Sequence, residues 1–139
     1  MESKSLATKV VNEMYENDAF SKWLGIEIVE VKAGSCQLNL TVREEMTNGF
    51  NIAHGGITYS LADSALAFAS NSYGRKSVSV ETSISHTKQC LVGDIITATA
   101  IEKSMTNKIA IYEITIVNQN QEIVALFKGT VYRTSKNWI

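Results

Sequence analysis

The chain of 139 residues contains no proline, where average usage of about 5% would supply roughly seven. The usual helix breakers and rigid linkers are therefore missing, and glycine, asparagine and aspartate are left to mark the turns. Cysteine is nearly as scarce. Cys36 and Cys90 are the two present; they allow at most one bridge and stand in no C-x-x-C or metal-type pair, which points to a reduced, cytoplasmic setting. Charge of one sign is lacking as well: 13 basic residues oppose 14 acidic ones, for a net charge of -1. No global positive field exists to hold a nucleic-acid backbone, so no nucleic-acid partner is expected. Long apolar runs are absent too. Glu2, Lys4, Lys9 and Glu13 interrupt the N-terminal stretch, and no later segment approaches the length of a membrane span. The expectation is a protein neither exported nor inserted into a membrane.

What is present fits one ordinary folded domain over residues 1–139, with 45% hydrophobic and 19% charged residues. From Ser5 to Phe20, Leu6, Val10, Val11, Met14 and Phe20 recur at helical spacing, which predicts a short amphipathic helix. Ile26 to Val31 and then Cys36, Leu38, Leu40 and Val42 read as a hairpin turning at Ala33-Gly34. The segment from Gly55 to Ser72 holds no Lys, Arg or Glu and is dense in Ala and Ser, with Ile57, Leu61, Leu66 and Phe68 around its circumference. A helix that is small or apolar on nearly all sides is buried on nearly all sides. Four strands follow, Val78–Ile84, Ile95–Ile101, Ile109–Val117 and Ile123–Tyr132, separated by turn-like residues. Strand runs on either side of one helix predict an α+β domain, a six-stranded antiparallel sheet wrapped around one long central helix. That is the hot-dog architecture, with a short N-terminal helix added.

The informative stretch runs from Thr47 to Ser72. Asn48 and Asn51 flank Gly49 in a loop, His54 precedes Gly55-Gly56, and the buried helix then begins. Free backbone N–H groups and the helix dipole make that start a socket for an oxyanion, and glycine lets another group approach the main chain closely. About two turns on comes Asp63, the helix's one formally charged residue. A carboxylate among Leu61, Ala62, Ala65 and Leu66 needs a partner or a cavity, which makes it the leading site candidate. The opposing reading is a mildly polar, water-facing stripe of Ser60, Asp63, Ser64, Ala67 and Asn71. His54 either orients the loop, binds substrate or satisfies local hydrogen bonds. His86 reads as a packed or solvent-facing side chain. No metal cluster, serine elbow, phosphate loop or dinucleotide fingerprint is present.

The run N-G-x-x-x-x-H-G-G-x-x-x-x-L-A-D-x-A-x-A-x-A-x-N-S-x-G, from Asn48 to Gly74, resembles the hot-dog acyl-CoA thioesterases of the phenylacetate-pathway (PaaI) type. Leu24-Gly25-Ile26, Gly93-Asp94 and the segment from Phe127 to Arg133 carry the resemblance across most of the chain. It implies hydrolysis of an acyl-CoA, aromatic or otherwise, to a free acid and coenzyme A, which is substrate and not cofactor. It further implies Asp63 as nucleophile or general base, Gly55 N–H polarising the thioester carbonyl, and Asn48 from a facing subunit positioning thioester or water. His54 would support the loop, and Ser79 would orient water. The site would be shared across a homodimer, with dimers paired into a homotetramer, and Arg75, Lys76, Lys88, Lys103 and Lys108 are candidates to meet coenzyme A's phosphates. The chain departs from the family between Ser85 and Cys90, where His86 replaces an aromatic ring and Gln89 a proline. Two other readings stand beside the enzyme: a non-catalytic acyl-CoA-binding module, and a hot-dog dehydratase built on a catalytic histidine.

Overall fold

The computed structural model describes residues 5–139, so Glu2 and Lys4 of the N-terminal reading lie outside the described residues. The single helix expected from Ser5 to Phe20 is in fact two, α1 (Leu6–Glu16) and α2 (Ala19–Leu24). The break falls at Asn17 and Asp18. Asn17 Nδ2–H donates back to Glu13 O at 3.1 Å as α1 ends, and Asp18 Oδ1 accepts from Ser21 N–H at 2.9 Å to start α2. Short polar side chains that compete for backbone groups divide helices in this way.

The hairpin β1 (Glu27–Lys32) and β2 (Ser35–Thr41) follows, turning at Ala33-Gly34 as expected. After one 3-10 turn at Glu44–Met46 comes the long helix α3 (Gly55–Asn71), then β3 (Arg75–His86), β4 (Ile95–Met105), β5 (Ile109–Val117) and β6 (Ile123–Asn137). The sheet order is β1-β2-β4-β5-β6-β3, with every neighbouring pair antiparallel. The chain leaving α3 thus crosses to the edge opposite β1, and β3 lies against β6.

The sheet curls around α3. Leu61, Ala62, Ala65 and Ala69 are fully buried, and Leu66 and Phe68 nearly so. The polar stripe proves to be two different things. Ser64 and Asn71 face protein: Ser64 Oγ lies 2.8 Å from Ser21 Oγ, and Asn71 Oδ1 accepts from Ser77 N–H at 2.9 Å and Trp138 Nε1–H at 2.8 Å. Ser60, Asp63 and Ala67 remain half-buried. The close seating of α3 depends on Gly129 in β6, where an added Cβ would fall inside the isobutyl group of Leu66.

Gly129→Ala should therefore overpack this contact and cost about 1–3 kcal/mol in urea unfolding. Leu66→Ala in the same chain should recover part of that loss, so the double variant is less destabilised than the sum of the two singles.

Candidate active site

The first turn of α3 distributes its backbone donors unevenly. His54 is the N-cap: its Nδ1 accepts from Gly56 N–H at 2.8 Å, and its carbonyl accepts from Ile57 N–H at 2.8 Å. His54 N–H itself donates to Met46 O at 2.8 Å. Among the described residues, no hydrogen bond takes up the N–H of Gly55. The positive end of a 17-residue helix dipole thus presents a free donor at Gly55. With Nδ1 as acceptor, the neutral His54 ring carries its proton on Nε2.

Asn48 lines a cavity of about 340 Å³ whose lining also includes Gly55, Thr58, His86 and Cys90. Asn48 Oδ1 accepts from Phe50 N–H at 2.9 Å, closing the loop on itself, and among the described residues Nδ2 makes no hydrogen bond. His86 packs against the helix start: its Nε2 lies 2.7 Å from Thr58 Oγ1, which donates to Gly55 O at 3.0 Å. The single Thr58 proton goes to that carbonyl, so the hydrogen-bond network assigns the neutral His86 proton to Nε2. A Cβ on Gly55 would meet His86 Cε1 at 3.3 Å. The close approach that glycine permits here is thus taken by the imidazole. Burial pushes the Cys90 thiol up to about 11, so it stays protonated at neutral pH and is no nucleophile.

Asp63 faces a second depression. A groove of about 290 Å³ is lined by Asp63, Ala67 and Ser70 of α3, Ser77 and Ser79 of β3, and Val131 of β6. No ion pair among the described residues involves Asp63. Burial raises its pKa above the ordinary aspartate value, and the nearby Asp18 carboxylate raises it further. The carboxylate is therefore a better proton acceptor than a solvated one.

The expected site residues thus fall into two groups in one protomer: Asn48 and Gly55 line the first cavity, with His54 capping the helix beside it, and Asp63 and Ser79 share the groove. Eight residues separate Gly55 from Asp63, about 12 Å along the helix axis. The residue spacing did not single out His86 or Thr58. The signal available was the polar side chain standing in for a ring at the end of β3, combined with a threonine three residues into the helix. Among the described residues, no cluster of three or more His, Cys, Asp or Glu side chains is placed to hold a metal ion, and no helix is long and apolar enough to cross a membrane.

The Thioesterase superfamily profile matches residues 50–125, which span the helix start, Asp63 and the strands through β5. The chain is 42% identical over 120 residues to the acyl-coenzyme A thioesterase PaaI of Escherichia coli, covering 86% of each protein. It is 38% identical over 133 residues to a putative esterase of Archaeoglobus fulgidus, covering 96% of this chain and 86% of that one. The solved structure of the E. coli PaaI protein, from the phenylacetic acid degradation operon, superposes with a TM-score of 0.93 at 39% identity, covering 95% of this chain and 96% of that one. The helix-led site, the six-stranded sheet around it and these likenesses agree, and the chain belongs to the hot-dog thioesterase superfamily.

Proposed function

We propose that the protein hydrolyses acyl-CoA thioesters, aromatic acyl groups such as phenylacetyl among them, at a site shared between two copies of the chain. The observation that carries this reading is the unoccupied Gly55 N–H, on the same helix as an Asp63 whose proton affinity is raised and which, among the described residues, is in no ion pair. The thioester oxygen accepts from Gly55 N–H, and as the carbonyl carbon becomes tetrahedral the developing negative charge is held there, with the helix dipole behind it. Asp63 either attacks that carbon, giving an anhydride that water then opens, or takes a proton from the attacking water. In both routes the C–S bond breaks, and the coenzyme A thiolate leaves and takes up a proton. Asn48, a donor through Nδ2, orients the thioester or the water, and Ser79 holds the water beside Asp63. His54 keeps the loop and the helix start in register by capping Gly56.

The need for a second copy follows from distance. About 12 Å of helix separates Gly55 from Asp63, too far for one carbonyl to meet both. β3 is an edge strand of 12 residues with Val78 and Val80 both more than half exposed. An unpaired, apolar edge of this length is a template for pairing with a second copy. Antiparallel pairing there brings the Asp63–Ser79 groove of one protomer towards the Asn48–Gly55 cavity of the other.

Asp63→Asn should lower turnover by at least ~10²-fold in a thiol-release assay on aromatic and straight-chain acyl-CoAs; undiminished turnover removes Asp63 from the chemistry. In the native enzyme the acid limb of the rate should lie above the usual carboxylate range near ~4, because Asp63 must be ionised to act.

The same raised proton affinity makes a stability prediction. An acid that binds its proton more tightly folded than unfolded contributes most to stability at low pH, and that contribution is lost as pH rises through its folded-state value. Asp63→Asn should therefore unfold at a higher temperature than the native protein at neutral pH. The gap should close as pH falls towards the ordinary aspartate value.

A shared site also predicts complementation. Asn48→Ala and Asp63→Asn, each inactive alone, should regain roughly a quarter of native activity when unfolded together and reassembled, since half the pairs are mixed and carry one intact site. No recovery, with mixed dimers demonstrated, would place each site within one chain.

A further inference from the structure

The cations proposed from sequence to meet phosphate do not remain equivalent in the fold. Lys88 pairs with Glu122 at 3.2 Å and Lys103 with Glu113 at 3.7 Å, and Lys76 lies 4.8 Å over the Trp138 ring. Arg75 and Lys108 instead come together with Arg133, a residue the sequence reading did not single out, in a pocket of about 540 Å³ completed by Tyr132, Ser135 and Asn137. Among the described residues no carboxylate lines it and none of the ion pairs engages these three cations.

The two arginines are fixed without being neutralised. Arg75 donates to Thr134 O at 3.0 Å, to Asn107 O at 2.7 Å, to Arg133 O at 3.1 Å and to Asn107 Oδ1 at 3.3 Å. Arg133 donates through Nη1 alone, to Thr106 O at 2.8 Å and Asn107 O at 3.5 Å, which leaves Nε and Nη2 free. Amide oxygens hold a guanidinium in place and leave its formal charge available. A preset fork with free donors matches two oxygens of a phosphate.

The pocket also continues the groove that holds Asp63. Ser77 lines that groove and pairs directly with Arg133 across β3 and β6, and Arg75 lies four residues before Ser79, roughly 13 Å along the strand. We propose that this pocket holds the phosphate groups of the coenzyme A end of the substrate. The acyl thioester then sits at Asp63 while the carrier's arm lies along β3. The inference rests on the thioesterase reading above.

The experiment compares acyl-CoA with the acyl-pantetheine thioester of the same acid, which has the arm and lacks the nucleotide phosphates. Lys108→Glu leaves every hydrogen bond of the two arginines in place, and Arg133→Gln tests the free fork. Each should raise KM for acyl-CoA about tenfold or more, with kcat unchanged and both constants for acyl-pantetheine unchanged. The advantage of acyl-CoA over acyl-pantetheine should also shrink as salt is added to the native enzyme. An unaltered KM for acyl-CoA in both variants overturns the assignment, and so does an equal rise for the two thioesters. Should the native protein hydrolyse neither thioester, the thioesterase reading falls. Calorimetric titration with free coenzyme A then decides the pocket alone: weaker binding by the variants upholds it, and equal binding overturns it.

Discussion

The seating of α3 against the sheet governs everything else in the molecule. The contact is made where Gly129 offers no Cβ to Leu66 and where Ala62, Ala65 and Ala69 are completely covered. Small side chains on the helix and one missing side chain on the sheet let the strands curl around it. Curling in turn decides which parts of α3 escape burial. These are its first turn, at the mouth beside the 47–53 loop, and the half-buried line of Ser60, Asp63 and Ala67 that looks out past β3. The candidate site lies where this wrapping stops.

At the helix start the allocation of donors follows from local chemistry. A serine or aspartate cap would take the N–H of the second or third helical residue. His54 does the same through Nδ1, taking Gly56 N–H, and its carbonyl takes Ile57 N–H. What distinguishes this end is the residue between, where Gly55 keeps its N–H free and its Cα side is covered by the His86 ring. Thr58 ties that ring to the Gly55 carbonyl, so both sides of the Gly55 peptide are held by neighbours from different elements. A donor that does not reorganise when charge develops is worth more than one that must first be oriented.

Much of this was legible in the sequence, and the failures have physical causes. The long helix was visible because eighteen residues without Lys, Arg or Glu can only be covered, and Asp63 stood out as the exception. The hairpin at Ala33-Gly34 followed from alternation and a glycine that adopts φ +81°. Strand order was not legible, since nothing local tells β3 to leave β2, pass three strands and pair with β6. The break at Asn17-Asp18 escaped because apolar spacing continues across it; only side-chain competition for the backbone separates α1 from α2. Ser64 and Asn71 looked like a wet stripe because Ser21 and Trp138 lie far away in sequence and Ser77 lies beyond the turn that ends the helix. The fold followed from the order of strands and helix, and the resemblance to the PaaI-type enzymes supplied the family, which the likeness to E. coli PaaI supports. It could not tell which cations are free, because Lys103 meets Glu113 across two strands and Lys88 meets Glu122 between two loops, both set by the tertiary fold.

That sorting of cations has an electrostatic logic of its own. A lysine or arginine beside Asp63 would favour the carboxylate, lower its proton affinity and weaken it as a base or nucleophile. A substrate carrying several phosphate charges nevertheless needs positive partners. The fold meets both demands by separation: the groove at Asp63 holds hydroxyls and apolar groups, with Asp18 as the neighbouring charge, while Arg75, Lys108 and Arg133 gather at the far end of β3 and β6. Arg75 lies roughly 13 Å of strand from Ser79 in that groove, more than the ~8 Å Debye length at physiological salt. Charges exposed at that distance exert little force on Asp63, yet an extended ligand spans the gap with one end in each place. Among the described residues no cation lines the groove, which allows the carboxylate to keep the raised proton affinity that its burial creates.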